Sequence, residues 1–170
     1  KTTTSAMLSH ILDQSPWKCN AFLGGIASNT NSNLLLNAQS DWVVVEADEF
    51  DRSFLHLSPF ASIVTAMDPD HLDVYGDASN FTDGFRQYAM KIDPNGVCVV
   101  KEGLSLPSLC PSVSYAVDSD TADYNGYNLS YIDGEMQFFV DTKTSRRVRF
   151  QLGLPGIHNC LKCLGVYCFT

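Results

Sequence analysis

Apolar residues recur along this chain in two periods. Unbroken or alternating runs mark strands. Trp42-Val43-Val44-Val45 and Ala61-Ser62-Ile63-Val64-Thr65-Ala66 are rich in β-branched residues and read as buried strands of a parallel sheet covered on both faces. Ala21-Phe22-Leu23, Leu34-Leu35-Leu36, Gly96 to Val100 and Val113 to Val117 read as further short strands. Gly24-Gly25, just after the first of these, allows a tight turn or a close backbone approach. Helical spacing appears in Met7, Leu8, Ile11 and Leu12 before Pro16, in Phe81, Phe85, Tyr88 and Ile92 over 79–92, and in Leu161, Leu164 and Cys168 after the break Gly153-Leu154-Pro155-Gly156. Between 124 and 152 the texture changes. Tyr127 to Ile132 and Met136 to Val140 flank Asp133-Gly134, a tight-hairpin signal, and Arg147 to Leu152 follows as a third strand. The pattern predicts an α/β fold: a mainly parallel sheet with helices on both faces, plus a small antiparallel three-stranded appendage at 124–152.

At 170 residues this is one domain with a real core, and no apolar run approaches a membrane span. No signal-peptide pattern opens the chain. A net charge of −8 argues against a nucleic-acid or anionic-membrane surface, so any phosphate must be held locally, by backbone amides, a lysine and a metal. Six cysteines are present, but Cys160 and Cys163 form the only Cys-x-x-Cys, without a second pair at zinc spacing; buried free thiols in a reducing cytosol are the expectation.

Three polar clusters carry candidate chemistry. Lys1-Thr2-Thr3-Thr4 runs straight into the first helical stripe, as the tail of a phosphate loop does, although Thr is also an ordinary helix-start residue. The strand at 42–45 stops at Glu46, and Asp48, Glu49 and Asp51 follow, either a solvated acidic loop or a place to hold a metal beside a phosphate. The strand at 61–66 ends in Asp68, Asp70, His71 and Asp73, a helix cap or a second metal or phosphate site in which Asp70 orients the imidazole. His158 and Asn159 stand at the start of the last helix.

The order of these pieces resembles the central, ATP-binding domain of the Mur ligases. The matching stretches are Lys1-Thr2-Thr3-Thr4, Phe22-Leu23-Gly24-Gly25, Glu46 to Asp51, Ser53-Phe54-Leu55, Asp70-His71-Leu72-Asp73-x-Tyr75-Gly76 and Gly156-x-His158-Asn159, and together they run essentially end to end. The resemblance implies a P-loop-type nucleotide-binding domain and a fragment, 1–170, of a longer three-domain cytoplasmic protein. It implies ATP and Mg2+ as the nucleotide and metal, and the alanine-adding branch, in which L-alanine is joined to UDP-N-acetylmuramate through an acyl phosphate. The muramate and alanine would be held by flanking domains, so the 170 residues alone are expected to be inert. By the same resemblance Lys1 meets the β- and γ-phosphates, Thr2 and Glu46 ligate magnesium, Thr3 meets a phosphate oxygen and His71 holds a second metal. Asp70 and Asp73 support that second site, and His158 and Asn159 meet adenine. Two positions depart from the family. Arg86 stands where several relatives carry a carbamylated lysine, as fits the alanine branch, and Lys162 stands where a second asparagine is common. Related ligases (a murein tripeptide ligase, a folylpolyglutamate synthase), a ParA-like ATPase and a non-catalytic module are the alternatives.

Overall fold

Helix α1 (Thr2–Gln14) starts directly at Lys1 and buries Thr4, Ser9 and Leu12. That face is rotated from the stripe read off Met7, Leu8, Ile11 and Leu12, and Ile11 is exposed. In the computed structural model, which describes residues 1–69 and 72–169, the chain divides into two compact units, Lys1–Ala47 and Asp48–Thr170. In the first unit α1 packs on a three-stranded sheet ordered β2-β1-β3, with β1 at Asn20–Ala27, β2 at Ser32–Leu35 and β3 at Val43–Val45. Strands β1 and β3 are parallel, with Ala21 beside Val44 and Phe22 beside Val45. Strands β1 and β2 form an antiparallel hairpin.

Because side chains alternate across a strand, one face of β1 and β3 meets α1 and the other does not. Ala21, Leu23 and Val44 are buried with Leu12 and Cys19, while Phe22, Val43 and Val45 are exposed. This corrects the expectation of a strand buried on both faces at 42–45. A helix lies on one face of this sheet, and the apolar run Val43-Val44-Val45 buries only its middle residue.

The second unit holds a six-stranded sheet ordered β4 to β9: Ala61–Val64, Val97–Lys101, Ser112–Val117, Tyr124–Ile132, Glu135–Thr142 and Val148–Leu152. Strands β4 to β7 are parallel, and β7, β8 and β9 are antiparallel. The three antiparallel strands expected over 124–152 therefore continue the parallel sheet. The join is β7, whose Tyr124 and Gly126 pair with Tyr115 and Val117 of β6. Asp133 and Gly134, both at positive φ (52° and 87°), make the two-residue turn between β7 and β8.

Helix α2 (Leu72–Tyr75) and helix α3 (Ala78–Ala89) precede β5, and α4 (Ile157–Tyr167) closes the chain. Asp77 caps α3 by accepting from the Asn80 amide at 2.8 Å. Phe81, Phe85, Tyr88 and Ile92 are all buried, as their spacing predicted. Strand β4 shows that helices cover both faces. Ser62 bonds the Tyr88 hydroxyl of α3 at 2.9 Å, while Ile63, pointing the other way, packs beside Gly165 of α4. The α4 face carries the main core of this unit, where Val99, Tyr115, Met136, Phe138, Val140, Cys160 and Leu164 pack together.

A candidate phosphate and metal site at the head of helix α1

Four residues at one end of the first unit converge. Lys1 is the residue before the first turn of α1, and its carbonyl accepts from the amides of Thr4 (3.0 Å) and Ser5 (3.2 Å). Helix geometry leaves the amides of Thr2 and Thr3 without intrahelical acceptors, and no side chain caps this end. Such an end, with the positive pole of the helix dipole behind it, favours an anion. The Thr2 hydroxyl donates to Glu46 Oε1 at 3.0 Å. The other carboxylate oxygen, Oε2, accepts from the Gly24 amide at 3.1 Å. The register explains the convergence. Phe22 lies beside Val45, so Glu46, one residue past the end of β3, comes level with the Leu23–Gly24 peptide of its neighbour. Only glycine leaves the carboxylate in this position: a Cβ on Gly24 would lie 2.6 Å from Glu46 Oε2. A hydroxyl and a carboxylate at hydrogen-bond distance are an all-oxygen donor pair of the kind magnesium takes, placed beside free helix amides. The residues present fit a metal-bound polyphosphate.

The rest of the acidic run belongs to the second unit and shapes turns there. Asp48 Oδ1 accepts from the Phe50 amide (3.3 Å), and its carbonyl accepts from Phe54 N and Ser53 Oγ. Asp51 accepts from the Ser53 amide at 2.9 Å, and Ser53's hydrogen bonds hold this carboxyl below its usual value. Asp70 and His71 lie outside the described residues. Asp73 is an exposed residue in the first turn of α2. Among the described residues no group of three or more His, Cys, Asp or Glu side chains is placed to hold a metal ion.

At the start of α4, His158 is exposed and its ring lies against Gly156, where a Cβ would stand 2.6 Å from Cε1. Gly156 has φ +98°, so glycine is required there on two counts. Asn159 is buried. Its amide nitrogen donates to the Pro155 carbonyl at 2.7 Å, and its oxygen accepts from Lys162 Nζ at 3.2 Å. Arg86 pairs with Asp83 at 2.8 Å on the surface of α3. The cysteines are free, as expected, and burial pushes Cys98 and Cys163 up to about 11 and Cys168 up to about 12.

The family model described as Mur ligase middle domain matches residues 1–169. The chain belongs to the Mur ligase family. It is 47% identical over 159 residues to the UDP-N-acetylmuramate–L-alanine ligase of Porphyromonas gingivalis, covering 91% of this chain and 35% of that protein. It is 41% identical over 173 residues to the enzyme of the same name from Cytophaga hutchinsonii, covering 98% and 37%. Among solved structures, the UDP-N-acetylmuramate-alanine ligase of Thermotoga maritima superposes with a TM-score of 0.84 at 28% identity, covering 99% of this chain and 38% of that one. The chain thus spans about a third of the length of the curated relatives it matches.

Within this Mur ligase domain the structure brings Lys1, Thr2 and Glu46 to one place and adds the Gly24 amide, which sequence reading had marked only as a close approach. His158 and Asn159 belong to the other unit. Sequence reading also missed that Asn159 is engaged by protein partners on both ends of its carboxamide, and that the Tyr75 hydroxyl donates to the Glu49 carbonyl of the acidic loop at 2.6 Å. The spacing of Asn159 and Lys162, three apart on a helix, was the available sign of the first. Among the described residues no helix is long and apolar enough to cross a membrane.

Proposed function

We propose that this chain is the ATP-binding part of a cytoplasmic ligase that joins L-alanine to UDP-N-acetylmuramate in peptidoglycan precursor synthesis. The observation that carries the reading is the Thr2 hydroxyl seated on the Glu46 carboxylate at 3.0 Å, at the head of a helix that begins with lysine. The names and identities of the relatives supply the acceptor and the amino acid.

The chemistry is two displacements. An oxygen of the muramate carboxylate attacks the γ-phosphorus, the bond to the β-bridging oxygen breaks, and ADP leaves. The alanine amine then attacks the acyl carbon, loses a proton, and phosphate departs as the amide forms. Little covalent work falls to the protein, and charge neutralisation and alignment carry the rate. Lys1 meets the β- and γ-phosphates, and the amides at the head of α1 and the Thr3 hydroxyl donate to phosphate oxygens. Thr2 and Glu46 hold magnesium, which when bound neutralises phosphate charge. Gly24 N–H fixes the outer oxygen of Glu46 so that its partner oxygen stays aimed at Thr2. His71, supported by Asp70 and Asp73, holds a second metal. His158 meets the adenine, with Asn159 bracing the loop behind it through Pro155. The amino acid and the uridine nucleotide are held by the domains that flank this one in the whole protein.

The test is phosphate release by the full-length protein with ATP, magnesium and UDP-N-acetylmuramate, across a panel of amino acids. Release that requires L-alanine supports the proposal. A requirement for a peptide moves the enzyme to another branch, and release with no acceptor removes the ligase reading. The 170 residues alone are expected to give no turnover.

A further inference from the structure

Strand β9 ends the six-stranded sheet, and among the described residues no strand pairs with its outer edge. Its two faces differ. Val148, Phe150 and Leu152 lie across from Val140, Phe138 and Met136 on the core face, yet all three are only half-buried, as befits an edge with nothing beyond it. The other face carries Arg147, Arg149 and Gln151, all exposed. Arg149 lies across from Phe139, and its guanidinium donates to Gln137 Oε1 at 2.9 Å. The Arg147 guanidinium lies over the Phe139 ring, 5.2 Å from the centroid. Both cations therefore stand on one side of the sheet. Their neighbours are already matched: Lys143 pairs with Asp123, and Arg146 pairs with Asp141 at 2.9 Å. The Arg147 and Arg149 guanidinium groups have no carboxylate partner among the described residues. Further along, Gln151 donates to Glu135, so the basic stretch ends there. These four cations, of eleven lysines and arginines in a chain of net charge −8, fall within 143–149. Such an edge selects an acidic partner. A second copy of β9 would bring a like row of arginines alongside this one.

We propose that the outer edge of β9 docks an extended segment of another protein in which acidic and apolar residues alternate. The segment adds as a further strand. Two of its carboxylates, two residues and so roughly 6.5–7 Å apart, meet the Arg147 and Arg149 guanidinium groups. The apolar residues between them point to the opposite face and cover Val148, Phe150 and Leu152. Backbone hydrogen bonds to the unpaired edge supply affinity, and the alternate side chains choose the partner. Every residue involved lies in the second unit, and docking here is independent of the ligase reaction. Cations on an edge strand also keep sheets from sticking to one another, and that role by itself predicts that no peptide adds to β9.

The experiment uses the full-length protein and three fluorescein-labelled peptides, read by anisotropy at low salt. The first, Val-Glu-Val-Glu-Val-Gln-Val, alternates. The second, Glu-Glu-Val-Val-Val-Val-Gln, has the same composition without the alternation. The third carries lysine in place of both glutamates of the first. The first should bind with a Kd below about 1 mM, the second about fivefold more weakly or worse, and the third not at all. Bound peptide should slow amide exchange over 148–152 by about threefold or more. Arg147→Gln and Arg149→Gln should each weaken binding about twofold to fivefold, as exposed ion pairs do. Arg147→Glu and Arg149→Glu together should weaken it more than about tenfold. Lys143→Gln, which removes a cation already paired, should stay within about twofold of wild type. The thermal midpoint of each variant shows that the fold is kept. No binding of the first peptide overturns the proposal. Equal binding of the first two, or binding without slower exchange over 148–152, leaves plain charge attraction and overturns strand addition. Binding unmoved by the double charge reversal overturns the role of the two arginines.

Discussion

Replacing Gly24 with alanine separates the stability of this domain from its proposed chemistry. The new methyl would stand 2.6 Å from Glu46 Oε2, 2.9 Å from Cδ and 3.0 Å from Oε1, where ordinary contact begins near 3.4 Å. The carboxylate must therefore retreat by roughly 0.8 Å, enough to carry its 3.1 Å bond from Gly24 N and its 3.0 Å bond from Thr2 past hydrogen-bond range. Glu46 is only half-buried, and water replaces both partners, so the loss is about 1 kcal/mol in all. Alanine also lowers the entropy of the unfolded chain by about 0.4–1 kcal/mol, which offsets most of that. Urea unfolding should show a change within about 1 kcal/mol. Magnesium tolerates no such retreat, since its oxygens sit at about 2.0–2.1 Å in a near-ideal octahedron. The magnesium or Mg·ATP concentration for half-maximal rate in the full-length protein should therefore rise about tenfold to a hundredfold, a change of about 1.4–2.8 kcal/mol. Gly25→Ala is the matched control, because its nearest neighbour outside the backbone, Thr2 Cγ2, would lie at 3.5 Å. A Gly24→Ala enzyme with wild-type magnesium response, or one as sensitive as Gly25→Ala, would refute the placement of Glu46 at the metal.

Gly96→Ala should behave in the reverse way. Its Cβ would stand 1.6 Å from the Phe60 carbonyl oxygen, a backbone atom that cannot step aside, so we expect a loss of about 3 kcal/mol or more and a thermal midpoint lower by several degrees. Asp123 predicts an acid limb. Burial raises its pKa, but hydrogen bonds from Lys143 and from Ser114 outweigh that and leave it below the usual value. A depressed carboxyl contributes stability that is full above the unfolded value near 3.8 and lost as pH falls through the folded value. The urea midpoint should fall below about pH 4, and Asp123→Asn should be less stable than wild type at pH 7 with a flatter acid limb; an unchanged slope refutes the assignment. Cys98, Cys163 and Cys168, with thiols pushed to about 11 and 12, should resist a thiol reagent at pH 8 in the native protein and react fully in denaturant.

Much of this molecule could be read before folding it, and the failures have physical causes. Phe81, Phe85, Tyr88 and Ile92 announced their buried face because one helix meets one core. Asp133-Gly134 announced its turn because few residues accept positive φ twice in succession. Val43-Val44-Val45 misled, since an apolar run looks the same whether one face or two are covered. The extent of the sheet was hidden as well. Nothing in Tyr124 to Gly126 says that these residues pair with Tyr115 to Val117, because sheet pairing is set by partners distant in sequence. At the candidate site, Lys1, Thr2 and Glu46 were legible as chemistry. The Gly24 amide was not, because a backbone donor leaves no signature in its own side chain. Asp48 and Asp51 resemble Glu46 in type, and only the structure separates turn-makers from the group that faces Thr2.

The position of β7 has a consequence for how the chain acquires its fold. Strands β7, β8 and β9 are consecutive hairpins with local contacts, the kind that close in microseconds, whereas β4 and β5 pair across more than thirty residues. The core that stabilises the parallel strands joins Val99 and Tyr115 to Met136, Phe138, Val140, Cys160 and Leu164, all of which are made later on a ribosome. Vectorial synthesis therefore delivers the slow half of the sheet first and its stabilising half last. Nascent chains ending before Met136 should remain protease-sensitive, and protection should appear only once α4 has emerged.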